Sequence, residues 1–168
     1  TVSTASAAGM DQKMLDSAYL KAEELGFIDA LLVIKDGYLV AEEYYNGYNQ
    51  NKPHQLWSVT KSFMSAIFGL AVDNGLIENL DIKVMDYFAE YAYTGMDPRF
   101  YDITIKHLLT MRMGIDNEED NLIPVVQTSN WIRETFNLPL IFNPGQKFCY
   151  NSLETHLLSV ILTKVTGM

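Results

Sequence analysis

Apolar residues recur with helical periodicity in several parts of the chain. Residues 11–25 carry them every three or four positions, with Asp11 placed to cap a helix and Gly26 to end it. Residues 58–73 are apolar around most of the helix, which predicts a central, buried helix. A third stripe at 153–165 predicts a final helix. Shorter helices are predicted at 82–90, 105–111 and 129–136, and an acidic loop at 116–121.

A β-hairpin is predicted near the start of the chain. Residues 30–34 are continuously apolar, Asp36-Gly37 favours a tight turn, and 38–45 is rich in strand-forming residues. The run 31–34 lacks polar alternation, so we expect it to lie in a sheet covered on both faces. Two strands cannot form such a sheet, and no other convincing strand follows. We therefore expect further strands beyond this sequence.

Composition narrows the classes of function. The chain has 168 residues and is 48% hydrophobic and 20% charged, a composition that excludes a disordered protein. Its formal net charge of -9 disfavours nucleic acid as a partner. Its single cysteine, Cys149, cannot form an internal disulfide. No run approaches the roughly 18 apolar residues of a membrane span. These features predict a soluble protein and do not distinguish the cytoplasm from export.

Ser58-Val59-Thr60-Lys61 is the main candidate for chemistry. Positions three apart lie on one face of a helix, so Lys61 can reach the Ser58 hydroxyl and accept its proton. The helix N-terminus would favour developing negative charge there. By itself, this short motif is weak evidence for a catalytic serine. The alternative is that Ser58 caps the helix and Lys61 is an exposed lysine of its first turn.

A second candidate lies at 143–152, where the turn Asn143-Pro144-Gly145 precedes a short extended segment and a helix start. Tyr150 in this segment is placed to enter a cleft. The alternative is that Tyr150 is a core aromatic residue and that Asn151 or Ser152 caps the helix.

Several short motifs follow one another in an order and spacing known from one family. They are Gly37 with Leu39-Val40-Ala41-Glu42, Leu56-Trp57-Ser58-Val59-Thr60-Lys61-Ser62, Leu80-Asp81, Ile103-Thr104-Ile105-Lys106-His107-Leu108-Leu109-Thr110, Pro144-Gly145 and Tyr150. With these motifs the chain resembles the serine β-lactamase and penicillin-binding protein superfamily. The similarity is to its class C β-lactamase-related branch of esterases, amidases and D-alanyl carboxypeptidases, and it extends from about residue 15 to 167.

The resemblance implies an α/β fold of the β-lactamase/transpeptidase kind and acyl transfer without a metal or cofactor. In that chemistry Ser58 attacks a carbonyl, Lys61 accepts its proton, and Tyr150 passes a proton to the leaving group. The Ser58 backbone N–H would form half of an oxyanion hole. The implied substrates are small molecules or peptides with an ester, amide or β-lactam bond. We expect Asn151, Ser152 and Trp57 to contribute to substrate binding.

The sequence departs from the family pattern in two places. The tyrosine motif ends in Ser152 where the family has asparagine, which weakens the case for β-lactam or peptide substrates more than for esters. The third family motif, Lys or His, then Thr or Ser, then Gly, is absent, and 164–167 imitates it with one residue too many. We expect the chain to be the N-terminal portion of a protein about twice as long.

The predicted organisation has three parts. Residues 1–10 are expected to be a disordered tail or a processed or artificially added end. Residues 11–57 are expected to form the N-terminal helix and hairpin, and 58–168 a mainly helical region with the nucleophile helix and the Tyr150 loop. The unpaired edge of the hairpin predicts self-association. The alternative to an enzyme is a non-catalytic protein that keeps the fold to bind peptidoglycan-like ligands or a partner.

Other polar residues have simpler explanations. The histidines are far apart in sequence, without the spacing of metal ligands, and favour surface or packing roles. The acidic run lacks the glycine and glutamate of a calcium loop, which favours a solvated loop. The histidines are His54, His107 and His156, and the acidic run comprises residues 116–120.

Overall fold

A computed structural model describes residues 2–168 as a helix-rich chain with one antiparallel hairpin. Single turns of 3-10 helix occur among the longer elements, at Trp57–Val59, Val84–Asp86, Ala89–Tyr91 and Pro98–Asp102. The longer elements are α1 (Gln12–Leu25), β1 (Ala30–Lys35), β2 (Tyr38–Tyr44), α2 (Thr60–Asp73), α3 (Ile105–Leu109), α4 (Glu118–Val126), α5 (Trp131–Asn137) and α6 (Ser152–Thr166). They form two compact units, Thr1–Gln55 and Leu56–Met168.

The first unit contains α1 and the hairpin, as predicted. Helix α1 begins where the Asp11 side chain accepts a hydrogen bond from the Lys13 N–H at 2.8 Å, and it ends at Gly26 with φ 71°. Strands β1 and β2 join through Asp36 and Gly37, with φ 52° and 79°. Positive φ at both turn residues matches the right-handed twist of the strands, which is why Asp-Gly favours this hairpin.

The first ten residues differ from the expected disordered tail. Residues 2–10 pack on the hairpin: the Ser3 N–H donates to the Leu39 carbonyl at 3.0 Å, and the Ala5 side chain is buried. The Lys35 ammonium donates to the Ala8 carbonyl at 2.6 Å. These contacts differ from the expected disordered tail, and the domain bounds stay a prediction. Thr1 lies outside the described residues.

Strand β1 is not covered on both faces within the described chain. Its side chains alternate between exposed and half-buried, and Leu32 and Ile34 are 49% and 68% exposed. The expectation of a doubly covered strand is therefore not met by residues 2–168. In the same range, no helix is long and apolar enough to cross a membrane.

The second unit is built around α6, which packs against α2, α3, α4 and α5. Phe136 lies between Phe88 and Phe100, with ring centroids 5.4 and 5.7 Å away in edge-to-face geometry. Helix α6 adds Leu157 and Ile161, both fully buried. This single core supports the segments that carry the candidate site residues of the unit.

Three predictions for the second unit need correction. Among residues 2–168, helix α2 is not centrally buried, since Phe63 and Leu70 are 56% and 60% exposed and only one face packs. The predicted helix at 82–90 consists of two 3-10 turns around Tyr87 and Phe88. The predicted acidic loop is the start of α4, which the sequence obscures because Pro124 lies inside this helix.

Candidate active site

Ser58 lies in the 3-10 turn that leads into α2. The preceding residue, Trp57, has φ 46°, a left-handed conformation that non-glycine residues adopt at a cost. The Trp57 side chain is 80% exposed. The strained turn therefore presents the Ser58 hydroxyl at the surface, at the point where the helix begins.

Lys61 is the partner of Ser58 on the same helix. Its ammonium group donates to the Ser58 hydroxyl oxygen at 3.0 Å, one turn away. The Lys61 side chain is half-buried, whereas many other side chains of α2 are exposed. The spacing that singled out these two residues in the sequence thus corresponds to a direct contact.

Tyr150 reaches the same hydroxyl from a distant part of the chain. Its phenol O–H donates to the Ser58 Oγ atom at 2.7 Å across 92 positions of sequence, and the Lys61 Nζ atom lies 4.9 Å from its ring centroid. Hydrogen bonding to Lys61 and to Ser58 lowers the pKa of Tyr150, and partial burial opposes this. The three residues predicted to be catalytic therefore meet at one hydroxyl, and the tyrosine is shifted toward its phenolate form.

The backbone around Tyr150 is held by residues of the acidic run. The Glu118 N–H donates to the Tyr150 carbonyl at 3.0 Å, and the Glu118 carboxylate accepts from the Ser152 N–H at 2.7 Å. The Asn151 side-chain amide donates to the Asp116 carbonyl at 2.9 Å. Sequence reasoning missed these supporting roles, because nothing in the acidic run points to residues 150–152.

The residues predicted to bind substrate have different surroundings. Asn151 is fully buried and caps α6 by accepting from the Leu153 N–H at 2.9 Å, while its amide N–H is taken by Asp116. This geometry favours the capping alternative over substrate binding. The Ser152 hydroxyl makes no hydrogen bond among residues 2–168, and Trp57 is exposed. Substrate binding by these two residues remains a prediction.

Glu154 is a buried acid beneath the Tyr150 segment. Its Oε2 atom accepts from the Met113 N–H at 3.1 Å, and its Oε1 atom has no partner among the described residues. Burial raises its pKa to about 9, so the side chain is a neutral carboxylic acid at pH 7. A sequence signal existed, since position 154 lies four residues before Leu158 and seven before Ile161 on the apolar stripe of α6.

The three histidines have local partners. The His107 Nδ1 atom accepts from the Thr104 N–H at 3.2 Å in a capping box at the start of α3, and burial lowers the pKa of His107. His54 lies 2.8 Å from an Asp29 oxygen, and this hydrogen bond raises the pKa of His54. His156 packs against the Trp131 ring. Among residues 2–168, no group of three or more His, Cys, Asp or Glu side chains is placed to hold a metal ion.

Comparison with known proteins identifies relatives of the chain. A 6-aminohexanoate-dimer hydrolase from Paenarthrobacter ureafaciens is 28% identical over 156 residues, which cover 83% of this chain and 38% of the relative. A Bacillus anthracis protein assigned as a 6-aminohexanoate-dimer hydrolase has a solved structure with TM-score 0.66 and 25% identity, covering 83% of this chain and 40% of that one. The chain thus spans less than half the length of these relatives.

Two further solved structures share the fold. A Bacteroides dorei protein assigned as a beta-lactamase matches with TM-score 0.71 at 20% identity, over 94% of this chain and 47% of its own. The octameric penicillin-binding protein homologue from Pyrococcus abyssi matches with TM-score 0.63 at 26% identity, over 95% and 40%. The family model for beta-lactamase matches residues 27–168. The chain belongs to the beta-lactamase family of serine hydrolase folds.

Proposed function

We propose that the chain carries the nucleophile and the acid–base pair of a serine hydrolase that works through an acyl-enzyme at Ser58. The observation that supports this is the convergence of Lys61 Nζ and Tyr150 Oη on one Ser58 hydroxyl oxygen, at 3.0 and 2.7 Å. A serine hydroxyl needs a neighbouring base to become nucleophilic, and a tyrosine with a lowered pKa next to an amine is such a base.

The proposed reaction has two steps. In the first, Ser58 Oγ bonds to the substrate carbonyl carbon, the serine proton passes to the Tyr150–Lys61 pair, and Tyr150 returns a proton to the leaving amine or alcohol as its bond to carbon breaks. In the second, water bonds to the ester carbonyl carbon and loses a proton to the same pair. The bond from that carbon to Ser58 Oγ then breaks, the pair returns a proton to Oγ, and the carboxylic acid leaves. The Ser58 backbone N–H is expected to donate to the oxyanion.

The substrate class we propose is a small linear amide or ester. The Paenarthrobacter ureafaciens relative is a hydrolase of 6-aminohexanoate dimer by name, which supports an amide between amino-acid units. Ser152 offers a short hydroxyl with one O–H donor as a substrate contact, whereas a carboxamide would offer two N–H donors. A panel of 6-aminohexanoate dimer, a p-nitrophenyl ester and a chromogenic cephalosporin would rank the three bond types. A cephalosporin turned over faster than the other two would contradict this substrate class.

The experiment that tests the nucleophile is intact-mass spectrometry after exposure to a fluorophosphonate. We expect one adduct in the native chain and none in Ser58→Ala. Ser62→Ala is a matched control, since Ser62 is an exposed serine of the same helix and should label like the native chain. An adduct that persists in Ser58→Ala, or the absence of any adduct in the native chain, would overturn the assignment and favour a binding module.

A further inference from the structure

Glu118 makes two hydrogen bonds to the backbone of the Tyr150 segment, one through its own backbone and one through its side chain. Its backbone N–H donates to the Tyr150 carbonyl at 3.0 Å. Its side-chain Oε2 atom accepts from the Ser152 N–H at 2.7 Å. One residue at the start of α4 thus contacts the backbone on both sides of Asn151. A hydrogen bond to a carboxylate is also about twice as strong as one between neutral groups.

The bond to Ser152 satisfies a group that the helix leaves unpaired. The first N–H groups of α6 have no partner within the helix, and Asn151 takes the one on Leu153. Glu118 takes the one on Ser152, where the positive end of the helix dipole favours a carboxylate. The Asp116 carbonyl receives the Asn151 side chain at 2.9 Å. The backbone of residues 150–152 is therefore fixed from the α4 side.

Charged groups on two different helices act on the Tyr150 phenol. Lys61, on α2, is the cation beside the ring, and Ser58 shares its hydrogen bond. Glu118, at the start of α4, is the anion that acts on it. The positive and negative neighbours act in opposite directions, since Lys61 lowers the pKa of Tyr150 and Glu118 raises it.

We propose that Glu118 is a positioning residue for Tyr150: it holds the phenol against Ser58 through the backbone of residues 150–152 and supplies the negative charge that balances Lys61. This inference rests on the proposed function, because positioning matters for catalysis where Tyr150 exchanges a proton with Ser58. Glu118 does not touch the reacting atoms and acts through the tyrosine.

Two substitutions separate the effect of the hydrogen bond between Glu118 and Ser152 from the effect of the negative charge of Glu118. Glu118→Gln keeps a side-chain oxygen that accepts from Ser152 but removes the charge, whereas Glu118→Ala removes both. Glu119→Gln is the matched control, because Glu119 is the exposed neighbour in the same acidic run and its side chain makes no hydrogen bond among residues 2–168. All three variants have the same change in net charge, so general electrostatics cancel in the comparison.

The first readout is the titration of the Tyr150 phenol by ultraviolet absorbance. The chain has 10 tyrosines, so each variant is measured against the same variant with Tyr150→Phe, and the difference isolates one phenol. We expect Glu118→Gln to lower the midpoint by about half a pH unit relative to Glu119→Gln, because a nearby negative charge has gone. Equal midpoints in these two variants would overturn the proposal.

The second readout is the rate of fluorophosphonate adduct formation at Ser58 as a function of pH. We expect Glu118→Gln to move the midpoint of this profile to lower pH with a plateau near the native rate. Glu118→Ala should lower the plateau by about tenfold, because Tyr150 is no longer held in place. A Glu118→Ala plateau equal to the native one would overturn the positioning role.

Failure of the two proposals is distinguishable. A native chain that forms no adduct at Ser58 contradicts the proposed function, and the phenol titration still decides whether Glu118 acts on Tyr150. A native chain that reacts at Ser58, combined with Glu118 variants that behave like Glu119→Gln in both readouts, contradicts the positioning role alone. Because Glu118→Gln retains the bond to Ser152, the test of the charge does not depend on whether Glu118→Ala folds.

Discussion

The two segments that meet at the candidate site are built in opposite ways. Residues 56–60 are exposed throughout, and Trp57 has a left-handed backbone. In contrast, Cys149, Asn151 and Glu154 are buried, and each makes a hydrogen bond to the chain between residues 111 and 116. Among residues 2–168 the nucleophile thus lies in an exposed segment, whereas the proposed acid–base residue is held by buried polar contacts. Preorganisation of this kind is what proton transfer requires.

The largest effect is expected at Gly114, on the enclosed side. Gly114 has φ 110°, and a Cβ atom there would lie 2.5 Å from the Phe142 carbonyl oxygen. Gly114→Ala should lower the free energy of unfolding by roughly 4 kcal/mol, from backbone strain and overpacking together. On the open side, a Cβ atom added at Gly69 in α2 would meet nothing within 4 Å, so Gly69→Ala is the matched change.

Gly69→Ala should raise the free energy of unfolding by about 0.5 to 1 kcal/mol, because alanine restricts the unfolded chain and favours a helix interior. Urea unfolding of both variants measures this contrast. Equal effects at the two glycines would show that the two segments are equally constrained, which would contradict the difference described between them.

The next effect concerns Glu154. Glu154→Ala leaves the Met113 N–H without its partner and opens a cavity, so the free energy of unfolding should fall by about 2 to 3 kcal/mol. Glu154→Gln keeps an acceptor oxygen in place and should stay within about 1 kcal/mol of the native chain near pH 5. A loss in Glu154→Gln as large as in Glu154→Ala would contradict the assignment of Glu154 as a neutral acceptor.

The pH dependence of stability sharpens this assignment. The pKa of Glu154 is raised by burial from 4.5 to about 9, so the folded chain holds a proton that the unfolded chain loses. The contribution is fully present below about pH 4.5 and declines up to about pH 9, by about 1 kcal/mol per pH unit. Glu154→Gln lacks this decline. Unfolding free energies of both chains from pH 5 to 8 should therefore diverge in favour of the variant, and parallel curves would contradict the raised pKa.

The smallest effect is expected at Trp57. With 80% of its surface exposed, Trp57→Ala should change the free energy of unfolding by less than about 0.5 kcal/mol. Trp131 is the matched control: it is 39% exposed and its indole N–H donates to the Val126 carbonyl at 3.1 Å. Trp131→Ala should cost about 1 to 2 kcal/mol. A large loss of stability in Trp57→Ala would mean that the open segment is more constrained than its exposure indicates.

Local signals in the sequence were sufficient for part of the fold. The helix from 11 to 25 and the hairpin turn at Asp36-Gly37 were predictable because their caps and turn residues act within a few positions. The 3-10 turns at 84–91 and the helix containing Pro124 were not, because their conformations depend on packing against distant residues. The exposure of Leu32 was not predictable either, because an apolar run in the sequence does not indicate which other segments pack against it.

For the candidate site, the pairing of Ser58 with Lys61 could be predicted from the sequence, because a spacing of three on a helix is a local property. The contact with Tyr150, the bonds from the Tyr150 segment to Glu118 and the neutral state of Glu154 became visible in the folded chain. Burial, pKa and hydrogen-bond partners are set by segments that lie far apart in the sequence and come together on folding.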